Sequence, residues 1–132
     1  MSAYTNPSMR LPIWRDAKRL LLEIEIAVRG FPRYHKYTLG TEMRTQAMRV
    51  CQLLSRAIAA RGQRRIDAVR RLLEALDDLK IAIQLARELK AFSSFSVFQR
   101  VVEWAVRTGK QGGAWLRRLT SGKAGPEPTH SS

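Results

Sequence analysis

Four successive segments of the chain carry apolar residues at steps of three and four, the spacing that gathers side chains on one side of an α-helix. The first, residues 12–29, has the stripe Ile13, Ala17, Leu20, Leu21, Ile24, Ala27 and Val28. Pro12 suits its first turn, where no amide hydrogen is required. Gly30, Phe31 and Pro32 stop it, because Pro32 lacks an amide hydrogen and pushes Phe31 out of the helical region. Thr38 or Thr41 is expected to cap a second helix, with Met43, Ala47, Val50, Leu54 and Ile58 on its inner side. Gly62 is expected to end it.

The third segment, residues 64–90, has the stripe Ile66, Val69, Leu72, Leu73, Leu76, Leu79 and Ile83. Ile81, Leu85 and Leu89 lie off that stripe, which predicts a helix buried on more than one side. Ser94 is expected to cap a fourth helix, residues 95–119, with Phe98, Val102, Ala105, Val106, Gly109, Gly113, Leu116 and Leu119 inward. A glycine inside a helix costs about 1 kcal/mol relative to alanine. Gly109, Gly112 and Gly113 are therefore expected to admit close packing of a neighbouring backbone within one continuous helix. With no strand pattern, the prediction is an all-α, antiparallel up-down-up-down four-helix bundle over residues 12–119. Residues 1–11 are expected to form a flexible N-terminus and residues 120–132, rich in Gly, Pro and Ser, a disordered tail.

Charge adds a function class to this frame. The 132 residues include 24 Lys+Arg and 11 Asp+Glu, a net charge of +13, and 18 of the basic residues are arginines. Such a surplus suits a polyanion, and the planar guanidinium matches phosphate oxygens. Residues 33–65 hold eight basic residues against Glu42 alone, whereas residues 66–90 hold five of each sign. Arg33, Lys36, Arg49, Arg56, Arg61, Arg64 and Arg65, with a second set at Lys110, Arg117 and Arg118, are the expected phosphate contacts.

Catalytic groupings are missing from the pattern. The two histidines, His35 and His130, have no carboxylate or cysteine at ligand spacing, so no metal and no cofactor is expected. There is no phosphate-cradling glycine loop and no Ser/His/Asp set. Asp77 and Asp78 point about 100° apart on a helix and are expected to form surface ion pairs with Arg70, Arg71 and Lys80. Cys51, the single cysteine, reads as a small buried thiol in a reducing compartment. With no signal-peptide pattern and no apolar run of about 20 residues, a cytoplasmic, non-enzymatic binding protein without a membrane partner is expected.

The stretch Phe31-Pro32-Arg33, then Tyr37-Thr38-Leu39-Gly40, then Arg44 resembles the signature of a four-helix-bundle family. That family contains the accessory variability determinant proteins of diversity-generating retroelements and the bundles encoded in intervening sequences of bacterial 23S ribosomal RNA genes. Residues 76–94 (LDDLKIAIQLARELKAFSS) and the run from Gly109 through Gly112, Gly113 and Trp115 to Arg117 resemble the first branch. Where the ribosomal branch has a Pro-Ser-Asn-Ile-Ala-Glu-Gly-like segment, this chain has SRAIAARGQRR. The resemblance implies a ring-like homopentamer that binds the element's reverse transcriptase with template-repeat RNA and supports mutagenic cDNA synthesis.

Leu22 and Ile26 on the outer face of the first helix, with Val97, Trp104 and Trp115 on the fourth, are the expected oligomer interface. The core and base stacking are the other readings for the two tryptophans. Three other functional readings stand beside the retroelement one. They are a ribosomal-intervening-sequence-type bundle, a structural scaffold whose charge answers an acidic protein, and a membrane-surface protein, the last disfavoured because the apolar faces are matched in a core.

Overall fold

Each stripe becomes a helix in the computed structural model, which describes residues 11–122. The helices are α1 (Pro12–Arg29), α2 (Arg33–Lys36), α3 (Leu39–Ala59), α4 (Gly62–Glu88) and α5 (Phe95–Thr120). The described residues contain no strand. Apart from buried Leu11 and residues 120–122, the expected flexible N-terminus and disordered tail lie outside the described residues.

The four long helices enclose one core. α3 packs mainly on α4 and also on α1, while α5 packs on both α1 and α4. Ile13, Leu20, Ile24, Met43, Leu54, Leu72, Leu76 and Leu79 are completely or almost completely buried between them. Each such side chain contributes about 1.5–3 kcal/mol of transfer free energy. At one end, Phe31 meets Phe92 edge to face at 5.2 Å, and Phe92 meets Phe98 at 5.4 Å. This aromatic chain joins the α1–α2 connection to the α4–α5 connection.

Local chemistry explains where the boundaries fall. Ser94 accepts a hydrogen bond from the Val97 amide, as a serine N-cap should. Thr38 sits at the N-cap of α3 but does not cap it. Its hydroxyl donates backward to the Tyr34 and His35 carbonyls, because the short helix α2, which the apolar pattern does not foretell, presents those acceptors first. Gly62 is not the C-cap of α3 either, a place taken by Ala60; at φ 57° it makes the left-handed turn that opens α4. Lys90 takes the same left-handed region at φ 61° and ends α4, with the Ala91 amide donating to the Ala86 carbonyl at 2.8 Å. Gly40 has a steric role: a Cβ there would lie 2.7 Å from Val28 Cγ1, so the glycine lets the start of α3 rest on the end of α1.

α5 runs unbroken through its three glycines, as expected, but its inward stripe is turned relative to the sequence reading. Phe98, Val101, Ala105, Thr108, Gly112 and Trp115 face the core, and Val106 is exposed. Side chains rather than a backbone fill the space the glycines leave. A Cβ on Gly112 would meet Leu73 Cδ2 at 2.9 Å, and one on Gly109 would meet Leu76 Cδ2 at 3.3 Å. Ile81, Leu85 and Leu89, expected to be covered, are exposed, because α3 and α5 cover only the opposite side of α4.

Candidate nucleic-acid interface

The basic residues expected to act together separate by position. Arg33 and Lys36 lie on α2, before the N-terminus of α3, whereas Arg56 lies in the last turn of α3. At 1.5 Å per residue the 17 residues from Leu39 to Arg56 put about 25 Å between these groups. Arg49 stands two turns before Arg56 on the same side of α3 and is exposed.

The α3–α4 connection carries the densest grouping. Arg56, Arg64 and Arg71 line a groove of about 310 Å³ floored by Leu53, Ala60 and Ala68. Asp67 also lines it, and its carboxylate accepts from Gln63 Nε2 at 2.9 Å. Exposed Arg61 stands beside the left-handed turn at Gly62. Guanidinium walls over a small apolar floor suit a phosphodiester backbone, whose charged oxygens and apolar sugar edges alternate. Arg71 was not among the expected contacts. Its signal was present in the sequence, seven residues after Arg64 and therefore on the same side of α4.

Arg65 is removed from the expected set. It is 2% exposed and donates from Nε to the Ala57 carbonyl at 3.0 Å and from Nη2 to the Ile58 carbonyl at 2.8 Å. These are carbonyls that the end of α3 leaves without helical partners, at the negative pole of its dipole. The guanidinium also lies 5.6 Å from the centre of the Trp115 ring. Trp115 in turn is fully buried inside the chain, which overturns its assignment to a subunit interface. It brings the last turns of α5 to the α3–α4 connection, so exposed Arg117 belongs to that end of the molecule. Lys110, two turns earlier, is exposed, while Arg118 is half-buried and engaged.

The other expected interface residues remain at the surface. Leu22 and Ile26 are 49% and 52% exposed, and Val97 and Trp104 are half-buried. Two guanidinium groups lie over the Trp104 ring, that of Arg107 at 4.4 Å and that of Arg19 at 5.6 Å. Each is held from the α1 side. Arg19 pairs with buried Glu23 at 2.7 Å, and Arg107 stands 3.9 Å from Asp16, which also accepts from Gln111 Nε2. Trp104 is thus clamped by cation–π contacts rather than offered bare to a base.

Cys51 is buried, with its Sγ 3.7 Å from the Ala17 carbonyl, and desolvation raises its pKa to about 11. Its thiol is protonated near neutrality and packs as a small apolar group. Among the described residues no three or more His, Cys, Asp or Glu stand together as metal ligands, and no helix is long and apolar enough to cross a membrane. The sequence matches no protein-family model and no curated protein.

Proposed function

We propose that this chain is a non-catalytic accessory subunit that binds nucleic acid through the arginines around the α3–α4 connection. The observation that carries the reading is the groove walled by Arg56, Arg64 and Arg71 in a chain of net charge +13. The field draws in a polyanion, and the groove gives its backbone a place to lie.

The proposed protomer is an antiparallel up-down-up-down bundle. The short connections between the long helices support this, as do the Phe31–Phe92 contact at one end and the Arg65–Trp115 contact at the other. Exposed Leu22 and Ile26 beside the clamped Trp104 support a self-assembling ring, which would multiply the arginine sites. The resemblance of the Phe31–Arg44 region and of the Gly109–Arg117 region supplies the partners. These are a retroelement reverse transcriptase with its template-repeat RNA and cDNA, in the cytoplasm, as a homopentamer.

Fluorescence anisotropy with unrelated RNA and DNA tests the binding claim. Micromolar or tighter binding that is strongly weakened in the triple variant Arg56→Glu, Arg64→Glu, Arg71→Glu is the expected result. Binding left intact in that variant removes the groove from the account. Copurification with a reverse transcriptase encoded beside this gene, next to paired repeats differing mainly at adenines, tests the partner.

A further inference from the structure

Two exposed apolar stripes of the bundle share one pattern of spacing with opposite charge. On α1, Leu22 and Ile26 are preceded by Arg19, Lys18 and Arg15, which stand three, four and seven residues before Leu22. On α4, Ile81 and Leu85 are preceded by Asp78, Asp77 and Glu74, which stand three, four and seven residues before Ile81. All ten residues are exposed. Steps of three, four and seven keep each set on one side of its helix.

Among the described residues the charges of these sets are largely unused. Asp77 and Asp78, expected to pair with Arg70, Arg71 and Lys80, form no ion pair among the described residues, and neither does Glu74. Arg15 and Lys18 form none among them either, while Arg19 pairs with Glu23. An acidic trio without an ion pair among the described residues of so basic a protein is a feature that a basic partner surface would complete.

α1 and α4 each pack on both α3 and α5, so they occupy diagonal corners and their outer faces point apart. One chain cannot bring its own two stripes together, but two copies can. We infer that α1 of one copy docks alongside α4 of the next, with Leu22 and Ile26 against Ile81 and Leu85, and Arg15, Lys18 and Arg19 against Glu74, Asp77 and Asp78. The inference rests on the self-assembly in the proposed function and names the two faces that would join.

The geometry is self-consistent. In an up-down-up-down bundle α1 and α4 run in the same direction, and rotation about an axis along the bundle preserves that direction between copies. Parallel alignment is the one in which the two spacing patterns match, charge level with charge and apolar pair level with apolar pair. Different faces meeting head to tail form a heterologous contact, which closes into a ring when the rotation divides the circle.

Charge reversal tests the pairing in low-salt buffer, where exposed charges are least screened. One variant carries Arg15→Glu with Lys18→Glu, a second carries Asp77→Lys with Asp78→Lys, and a third carries all four changes. Light scattering reads the mass of each, and circular dichroism reads its helicity. Each two-residue variant is expected to keep its helicity and to need at least about tenfold more protein for assembly. The four-residue variant is expected to recover the wild-type mass, a rescue that loss of folding cannot imitate. Assembly of the wild type that neither two-residue variant weakens overturns the pairing alone, as does loss in both without rescue. A wild type that stays at 15.1 kDa overturns the pairing together with self-assembly, whereas RNA binding by that monomer leaves the nucleic-acid reading standing.

Discussion

Arg64 and Arg65 are neighbours of the same charge with opposite assignments, and replacing each with alanine separates the assignments cleanly. Both changes lower the net charge by one, so any long-range effect of the field is equal in the two variants. Arg65 loses two hydrogen bonds from a charged donor, at 3.0 and 2.8 Å, to carbonyls at the end of α3. Hydrogen bonds to charged groups are each worth about 1.5–3 kcal/mol. The guanidinium also stabilises the α3 dipole, by about 0.3–1 kcal/mol. The desolvation of a 2% exposed guanidinium opposes these gains, leaving an expected loss of about 3 kcal/mol for Arg65→Ala. For a domain of this size that lowers Tm by about 10 °C. Arg64 is exposed, so Arg64→Ala changes stability by no more than about 0.5 kcal/mol. Urea and thermal denaturation followed by circular dichroism measure the first effect, and anisotropy with a fluorescent single-stranded RNA measures the second. Arg64→Ala is expected to weaken RNA binding and to reduce the salt slope by about 0.7. Arg65→Ala, at a temperature where it remains folded, is expected to bind like the wild type. Equal stability of the two variants, with RNA binding lost on replacing Arg65, would return Arg65 to the binding surface and deny it a role in holding the end of α3.

Other positions give independent checks. Gly113→Ala meets only Arg117 of its own helix at 3.7 Å and should stabilise by about 0.5–1 kcal/mol. Gly40→Ala meets buried Val28 Cγ1 at 2.7 Å and should destabilise, since overpacking typically costs about 1–3 kcal/mol against that same helix gain; thermal melts of the pair read both signs. Trp115→Ala should cost about 3–5 kcal/mol in urea, whereas Trp104→Glu should lower the assembled mass before it lowers helicity. Cys51, whose pKa is raised to about 11, should react with a thiol reagent at pH 8 only as fast as the chain opens. Its folded pKa exceeds the unfolded value near 9, so its contribution to stability is complete below pH 9 and declines as pH rises towards 11. Cys51→Ala should therefore flatten the loss of stability over that window.

The helices were legible because their apolar periods are long and strong, and because Pro12 and Ser94 act locally. What the sequence left ambiguous has physical causes. Around Gly109, Gly112 and Gly113 the chain offers no side chains to define an inward arc, so the stripe of α5 could be read turned, which misplaced Trp115. Thr38 presents a capping residue in the right place, but α2 supplies competing carbonyls that no periodicity announces. Periodicity identified the second apolar arc at Ile81, Leu85 and Leu89 without revealing that no helix among the described residues covers it. Arg65 could have been singled out, since it precedes Val69 by four and Leu72 by seven on the buried stripe of α4. Net charge marked the 33–65 region as basic, yet only folding shows that Arg56 of α3 meets Arg64 and Arg71 of α4 while Arg33 and Lys36 stand apart.

Binding of a polyanion by the arginines around the α3–α4 connection sets the slope of log affinity for single-stranded RNA against log salt. If Arg49, Arg56, Arg61, Arg64 and Arg71 each displace a counterion, the slope is about −3.5 per protomer engaged. A slope near that value, flattened by more than half in the Arg56→Glu, Arg64→Glu, Arg71→Glu variant, is the predicted result. Affinity that does not change with salt, or no binding at micromolar protein in dilute buffer, contradicts it.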